Sequence, residues 1–337
     1  MKIYFAADLE KRKFEGRTQT ALALKKFLED NGHKFVDKPQ EADIIHFHSS
    51  GIIDSFKAAM WKKKYKKPVV YTLYSISKTE ILNHFRNHFA QNFYLHPRKT
   101  SFFLSYSAIL PLKWRGLKLK ELDAVVVPSN FVRKRLFKNT KLIRIGIDTK
   151  HYKSIKNREN GSENDKIKVG YFGHPSVYKG VIDFARASKK FPKNHESYVH
   201  VTKLTSKIKK TLHKINPKLN VQGLLEDIRN VYNKMDIVVL PYRSFLGAIA
   251  NPLVLMETMA CEKAIVTTNF EYIKEISQGT ALIIKPYSPQ QIVKAVRKLE
   301  NEEFRKELGK KSRAIITSEF NQEKCFQQYL ELYNQLI

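Results

Sequence analysis

Short apolar runs rich in β-branched residues recur along the 337-residue chain and alternate with segments of helical spacing. The runs are short and bounded by charged or turn residues, as buried strands are. Strands that alternate with helices form parallel sheets covered by helices on both faces, so the alternation predicts an α/β protein. The predicted strands are 2–7, 42–48, 68–73, 124–129, 142–148, 167–173, 197–202, 219–223, 236–241 and 264–268. A helix is predicted at 130–137, between the fourth and fifth of these strands.

This series is interrupted at residues 151–166, a polar stretch without an apolar period. Such a stretch is typical of a linker between domains. A chain of this length is also long enough for about two domains. We therefore predict a first α/β domain at 1–150 and a second one that begins at 167.

The two cysteines, Cys261 and Cys325, are far apart in the sequence. This spacing argues against a disulfide scaffold or a cysteine zinc site. The first predicted strand begins directly after Met1, without the long apolar core of a signal peptide. No apolar run approaches the ~18–20 residues that span a bilayer. These features predict a protein of the reducing cytoplasm.

The charge of the chain is unusual, because 61 lysines and arginines stand against 32 aspartates and glutamates, a formal net charge of +29. A surface of this kind attracts polyanions, either nucleic acid or acidic lipid headgroups. A lysine-rich surface is also a general compositional bias that requires no specific partner. Apolar residues make up 42% of the chain, which supports enclosed cores and argues against global disorder.

Two stretches, 57–67 and 78–120, combine basic and aromatic residues. The first follows a helical stripe of apolar side chains, and the second contains four apolar residues spaced by four. Both stretches favour a position in the interface of a bilayer. Lysines that cap a helix, or core helices with charged ends, would give the same pattern. The stripes are Ile52, Phe56, Ala59 and Met60, and then Ile81, Phe85, Phe89 and Phe93.

His46 and His48 lie two residues apart on the second predicted strand and therefore share one of its faces. Such a pair is able to bind a metal ion. Because no third ligand is near them in the sequence, a structural or substrate-facing role is favoured.

The loop at 8–18 contains Gly16 and separates the first strand from a predicted helix at 20–28. A strand, a glycine loop and a helix are the first elements of a nucleotide-binding βαβ unit. A single glycine is a weak signal, and a plain turn is the favoured explanation.

The segment 251–269 combines a predicted buried helix at 253–260 with the strand 264–268. Pro252 suits the first turn of the helix, where its missing N–H costs nothing. The unpaired N–H groups and partial positive charge of a helix start suit an anion such as a phosphate. Glu257 stands among apolar neighbours and needs donors, such as sugar hydroxyls, unless it is a solvated or capped glutamate.

Six motifs, taken in order, cover essentially the whole chain. They are 42–48, 123–136, 144–152, 173–180, 232–241 and 320–333. Together they resemble the retaining glycosyltransferases of the GT-B fold, family 4, also called glycosyl transferases group 1. The resemblance implies two Rossmann-like parallel-sheet domains that face a central cleft, the first for the acceptor and the second, 167–312, for the sugar nucleotide. It also implies a C-terminal helix, 313–337, that crosses back to the first domain.

The resemblance also implies roles for individual residues. Lys179, spaced from Gly173 as in the family's donor turn, would neutralise the leaving diphosphate. The amide groups of the helix start would help it, and the residues there are Pro252, Leu253 and Val254. Glu257 would accept hydrogen bonds from the ribose. Glycines would allow close approach of the base at Gly223 and of the diphosphate or acceptor at Gly16.

Three positions depart from the family pattern. His174 stands in the place of an arginine and carries only part-time charge, although we retain it among the catalytic candidates with Lys179 and Glu257. Ile249 replaces the first of two glutamates, so Asn251 is the candidate for polar contact with the sugar. Tyr74 replaces a histidine on the acceptor side.

No Asp-x-Asp sequence is present to hold a metal on the diphosphate, so a metal-independent site without a cofactor is expected. The leading hypothesis is transfer from a UDP- or GDP-sugar to a lipid-linked or glycan acceptor, at the inner membrane face. Two alternatives stay open. One is a catalytically inactive relative that only binds nucleotide or glycan, and the other is a basic nucleic-acid-binding protein, although no reader motif for nucleic acid is recognisable.

Overall fold

The computed structural model describes residues 1–7, 16–49, 52–74, 81–95, 116–155, 166–223, 227–245 and 252–337. These residues form two six-stranded sheets, one in each half of the chain, and every strand pair is parallel. The predicted α/β class with two parallel-sheet domains is confirmed.

The first sheet has the strand order β2-β1-β3-β4-β5-β6. Its central strands are buried along their whole length, as expected where helices cover both faces. The strands are β1 Lys2–Ala6, β2 Lys34–Phe35, β3 Ile44–Ser49, β4 Val69–Leu73, β5 Ala124–Val127 and β6 Thr140–Leu142. The helices of this half are α1 Gly16–Asp30, α2 Ile52–Tyr65, α3 Ile81–Tyr94 and α4 Asn130–Arg133, with a 3₁₀ helix at Leu117–Glu121.

The second sheet has the order β12-β11-β10-β7-β8-β9, which is the strand order of dinucleotide-binding domains. The strands are β7 Ile167–Gly173, β8 His195–Val201, β9 Asn220–Gln222, β10 Ile237–Leu240, β11 Ala264–Thr268 and β12 Ala281–Ile284. The helices are α5 Val181–Ser188, α6 Ser206–Ile215, α7 Ile228–Lys234, α8 Leu253–Ala260, α9 Glu271–Ser277, α10 Pro289–Lys298, α11 Glu302–Glu319 and α12 Gln322–Leu336.

The last helix, α12, returns to the first sheet. Its buried side chains join the core of β1 and α1, and these side chains are Phe326, Tyr329, Leu332 and Tyr333. The return takes place at residues 320–321, where Asn321 caps α12 by accepting the N–H of Lys324. The start predicted at 313 lies inside α11, which continues to Glu319, because its buried positions Leu308, Ser312 and Ile316 keep helical spacing across residue 313.

The chain crosses between the domains twice, and the two crossings lie side by side. The N–H of Ile147 donates to the carbonyl of Phe320 at 2.7 Å, and the N–H of Gln322 donates to the carbonyl of Ile147 at 3.1 Å. A Cβ atom at Gly146 would lie 2.4 Å from the Cα of Gln322, so only glycine permits this approach.

Three predicted boundaries were wrong. Helix α1 begins at Gly16, which is therefore a helical residue and not part of a loop; apolar spacing does not reveal the polar first turn of this helix. Strand β6 covers 140–142 instead of 142–148, because the chain then leaves the sheet for the second domain. The helix predicted at 130–137 ends at Arg133, and turns follow it. Of the predicted linker, 156–165 lies outside the described residues.

His46 has a structural role. Its Nδ1 lies 2.5 Å from the hydroxyl of Tyr333 on α12, and its Nε2 lies 2.7 Å from the hydroxyl of Thr72. Burial lowers the pKa of His46 well below its usual value, since the charged form would lose its hydration. The adjacent His48 Nδ1 lies 3.0 Å from the hydroxyl of Tyr74. Within the described part of the chain, no cluster of three His, Cys, Asp or Glu could hold a metal.

No helix in the described part of the chain is both long enough and apolar enough to cross a bilayer.

Candidate functional site

The candidate site lies at the carboxyl ends of β7 and β10, where the strand order of the second sheet reverses. Ligands of open α/β sheets bind at this position. Gly173 ends β7 with φ of 139°, a backbone conformation that favours glycine. A Cβ atom at position 173 would lie 3.5 Å from Cδ and 3.9 Å from Nζ of Lys179. The structure thus brings Gly173 and Lys179 together, with the lysine side chain next to the carboxyl end of β7.

Lys179 ends a short 3₁₀ helix, Val177–Lys179, and Gly180 follows it with φ of 81°. A Cβ atom at Gly180 would lie 1.9 Å from the carbonyl oxygen of Pro241, directly after β10. No side chain fits in this space, so the backbone of the turn rests on the end of β10. Residues 177–179, which we call the donor turn, are fixed in position by this contact.

A buried ion pair lies beneath the donor turn. The guanidinium of Arg243 donates from Nε to Asp183 at 2.5 Å and from Nη2 at 2.7 Å, a two-pronged geometry that makes such a pair strong. Both side chains are almost fully buried. The Arg243 N–H also donates to the Tyr178 carbonyl at 2.9 Å. This pair was not predicted from the sequence. The sequence shows only that an aspartate follows the donor turn and that an arginine follows β10.

His174 is exposed and follows Gly173 directly. Its Nδ1 lies 2.5 Å from the hydroxyl of Thr202, after β8, and its carbonyl accepts a hydrogen bond from Tyr171 at 3.0 Å. The residue therefore lies on the exposed side of the site, directly after the end of β7 at Gly173.

Helix α8 covers residues 253–260, as predicted. Pro252 is the capping residue before the helix, because its ψ of 95° is extended and the helix starts at Leu253. The first helical hydrogen bonds run from Leu255 and Met256 to the Pro252 carbonyl. The N–H groups of Leu253 and Val254 thus precede the hydrogen-bonded ladder, as an anion site at a helix start requires.

Two further predicted residues, Asn251 and Ile249, lie outside the described residues. Gly223 follows β9 directly. A Cβ atom there would meet the Cβ of Leu204 at 3.6 Å, an ordinary contact, so local packing does not require glycine at this position.

Glu257 is held by two tyrosines. The hydroxyl of Tyr232, on α7, donates to its carboxylate at 2.7 Å, and Tyr152 makes a second hydrogen bond. Burial raises the pKa of Glu257, and the two hydrogen bonds oppose that rise. The edge of Phe172 packs against the Tyr232 ring at 4.8 Å. Neither tyrosine was identified from the sequence as a partner of Glu257, because they precede it by 25 and 105 positions.

The two domains touch beside the site. Glu275, on α9, accepts hydrogen bonds from the N–H groups of Asn130 (2.8 Å) and Phe131 (3.3 Å) at the start of α4, and from Arg144 at 2.9 Å. The ring of Phe131 stacks on Phe245 with centroids 5.5 Å apart. The first domain therefore contacts the second at Phe245, a few residues after β10.

Residues 166–302 of the chain match the family described as Glycosyl transferases group 1. This match covers the second sheet, the donor turn and α8. The uncharacterized glycosyltransferase MJ1069 of Methanocaldococcus jannaschii is 24% identical over 239 residues, which are 66% of this chain. The match spans 60% of the length of that relative.

Similar folds occur among solved structures. Sucrose-phosphate synthase from Thermosynechococcus elongatus is 16% identical with a TM-score of 0.74, over 100% of this chain and 99% of that chain. The Anabaena protein Alr3699/HepE, solved in complex with UDP-glucose, is 17% identical with a TM-score of 0.72 over 100% of both chains.

Proposed function

Since residues 166–302 match the glycosyl transferases group 1 family and the whole chain has the GT-B fold, we propose that the protein is a sugar transferase. The donor is a nucleotide sugar, the acceptor is a hydroxyl of a lipid-linked sugar or glycan, and the anomeric configuration is retained, as in family 4. The observation that carries the proposal is the position of Lys179 over Gly173, at the strand ends where α/β domains bind phosphates.

In this proposal, the diphosphate lies between the Lys179 ammonium and the first N–H groups of α8. A cation and the partial positive charge of a helix start stabilise the charge that develops on the leaving diphosphate. Glu257, already held by Tyr232 and Tyr152, accepts hydrogen bonds from the ribose with its remaining lone pairs. His174 is close enough to the strand end to add charge when it is protonated.

The proposed reaction needs neither a protein nucleophile nor a metal. The bond between the anomeric carbon and the diphosphate oxygen breaks, and the acceptor oxygen forms a bond to the same face of that carbon. The acceptor proton passes to an oxygen of the leaving diphosphate. The task of the protein is to position the two substrates and to stabilise negative charge.

A thermal-shift screen of the full chain with UDP-, GDP- and ADP-glucose tests the donor proposal. We expect a UDP-sugar to raise the melting temperature most, because a protein of the same fold was solved with UDP-glucose. Release of UDP without added acceptor would then report slow hydrolysis. No shift with any of these nucleotides would contradict the proposal, whereas binding without hydrolysis or transfer would favour an inactive relative.

We further propose that the acceptor is met at an anionic membrane surface. The exposed face of α2 and the adjacent 3₁₀ helix carry four apolar side chains that are 49–79% exposed: Ile53, Phe56, Met60 and Leu117. Lysines surround them, namely Lys57, Lys63, Lys64, Lys118 and Lys120. We call these nine residues the α2 patch. Apolar side chains ringed by cations fit the boundary between acyl chains and acidic headgroups.

Helix α2 begins after β3, at the carboxyl edge of the first sheet, where a ligand binds in this class of fold. Its last turn lies at the amino ends of β4 and β5, where Lys62 contacts Glu121 and Asp123, so only the Ile53 end of the α2 patch is next to the ligand-binding edge. Some of the cationic charge is locally neutralised, since Lys118 and Lys63 pair with Glu121 at 2.6 and 3.7 Å. The other lysines of the patch leave its net charge positive.

Vesicle sedimentation tests this surface. The double variant Phe56→Ser/Met60→Ser is expected to bind vesicles containing phosphatidylglycerol on the order of 10- to 100-fold more weakly. Full burial of an apolar side chain contributes ~1.5–3 kcal/mol, and about half of each of these two side chains is exposed and open to burial in the membrane. Ile283→Ser, at a partly exposed position on the edge strand of the second sheet, is the matched control and should bind like the wild type. Equal binding by both variants, or no wild-type binding at physiological salt, would reject the membrane proposal without affecting the donor proposal.

A further inference from the structure

Helix α3 has its polar and apolar faces reversed. It buries three polar side chains at positions i, i+3 and i+7: His84, Asn87 and Gln91, of which 2%, 0% and 5% is exposed. It exposes four apolar side chains on its other face: Leu82, Phe85, Phe89 and Phe93. Burial of a polar group is unfavourable unless a hydrogen bond replaces its lost hydration. The buried face of α3 therefore depends on specific partners.

Those partners belong to the second domain. Gln91 Oε1 accepts the N–H of Val177 at 2.8 Å, and Asn87 Nδ2 donates to the hydroxyl of Tyr287 at 2.8 Å. The next position of the same face, Leu95, is fully buried in the core of the second domain. An element that lies between two strands of the first sheet in the sequence is thus docked on the second domain.

The docking of α3 acts on the donor turn itself. Val177 is the first residue of that turn, and Lys179 is its last. The Gln91 amide therefore satisfies a backbone donor two residues from the ammonium group proposed to bind the diphosphate. Replacement of this acceptor would leave the buried N–H of Val177 without the bond that fixes the start of the turn.

The contact between Asn87 and Tyr287 is a second link between α3 and the candidate site. The Arg243 guanidinium lies 5.0 Å from the centre of the Tyr287 ring, and Arg86 of α3 lies 4.1 Å from it. Arg243 forms the buried pair with Asp183 beneath the donor turn. Tyr287 has a φ of 59°, a conformation that non-glycine residues rarely adopt and that surrounding contacts must hold.

We infer that Gln91 and Asn87 are positioning residues of the donor site. They hold the donor turn and Tyr287 from the first half of the chain, so that donor affinity depends on the docking of α3 onto the second domain. The inference rests on the proposed function in one respect, namely that the ligand of the turn is a nucleoside diphosphate.

The test compares the wild type with Gln91→Met, which keeps the volume of the side chain but removes its strong acceptor. We expect the Kd for UDP and the KM for the donor to rise about 5- to 10-fold, as for one lost buried hydrogen bond, while the acceptor KM is unchanged. Tyr287→Phe, which keeps the ring but removes the hydroxyl that accepts from Asn87, should raise the same two constants by a smaller factor. Both variants are studied as full chains by calorimetry and steady-state kinetics.

Asn92→Ala is the matched control, because Asn92 lies on the exposed side of the same helix. This variant should leave the Kd for UDP and the KM for the donor at the wild-type values. If Gln91→Met is poorly folded, the milder Tyr287→Phe carries the test alone.

The inference would be overturned if the folded variants bound UDP with wild-type affinity. It would also be overturned if the donor KM and the acceptor KM rose equally and the melting temperature fell, because such changes would indicate a general loss of stability. Failure of the wild type to bind any nucleotide would instead reject the proposed function, so the two failures are distinguishable.

Discussion

Lys179→Ala is expected to lower kcat/KM for sugar transfer by on the order of 100-fold, which is the usual effect of removing one group that stabilises transition-state charge. The loss follows from the position of the ammonium group over Gly173, where the diphosphate is proposed to leave. Steady-state kinetics with the donor identified by thermal shift measure this effect. Because Lys179 is partly exposed, the free energy of unfolding should change by less than ~0.5 kcal/mol.

Lys189→Ala is the control for this prediction, since Lys189 is an exposed lysine at the end of α5. It removes the same charge from the same domain without touching the donor turn. Full transfer by Lys179→Ala would reject the site assignment, and equal losses in both variants would show that the effect is one of overall charge.

Gly180→Ala is expected to lower the free energy of unfolding by more than ~3 kcal/mol. The added Cβ would lie 1.9 Å from the carbonyl oxygen of Pro241, and the φ of 81° adds ~1–2 kcal/mol of strain for any residue with a side chain. The backbone of the turn and that of β10 cannot both keep their positions. Urea denaturation, followed by circular dichroism, measures the loss.

Gly279 provides a control within the same domain. It has nearly the same conformation, with φ of 85°, but a Cβ atom added there would have no neighbouring atom within 4 Å. Gly279→Ala should therefore show only the conformational cost of ~1–2 kcal/mol. The difference in the free energy of unfolding between the two variants measures the cost of the close approach to Pro241. Equal losses of stability would contradict this explanation.

The sheets were the part of the fold that the sequence predicted well. The runs at 44–49, 69–73 and 264–268 are buried on both faces, and strands of this kind are recognisable as continuous β-branched and apolar segments. The order of the strands within each sheet was not predicted from these runs, because it depends on pairings between distant segments.

The periodicity of apolar residues did not predict which face of a helix points toward the core. The regular spacing of Phe85, Phe89 and Phe93 identifies one face of α3 correctly, but the structure turns that face outward. Likewise, Phe56 and Met60 of α2 are exposed, while Ala58 and Ala59 are buried. Regular apolar spacing predicts which side chains share one face of a helix. The usual inference that this face points into the core fails where the opposite face is polar and is buried against hydrogen-bonding partners.

The candidate site shows the same division. Gly173, Lys179 and α8 follow local patterns of a strand end, a turn and a helix start, and these patterns are visible in sequence. The Arg243–Asp183 pair joins residues 60 positions apart, and Gln91 meets Val177 over 86 positions. Such pairings are determined by the packing of whole elements, and no local signal in the chain identifies them.

The side-by-side crossings at Ile147 and Asn321 have a mechanical consequence. A single connecting strand would leave two domains free to swivel in any direction. Two crossings joined by backbone hydrogen bonds, which Gly146 allows to approach closely, restrict that freedom. We therefore expect any rotation of one domain against the other to follow one preferred axis, which would return the same residues of the first domain to the donor turn.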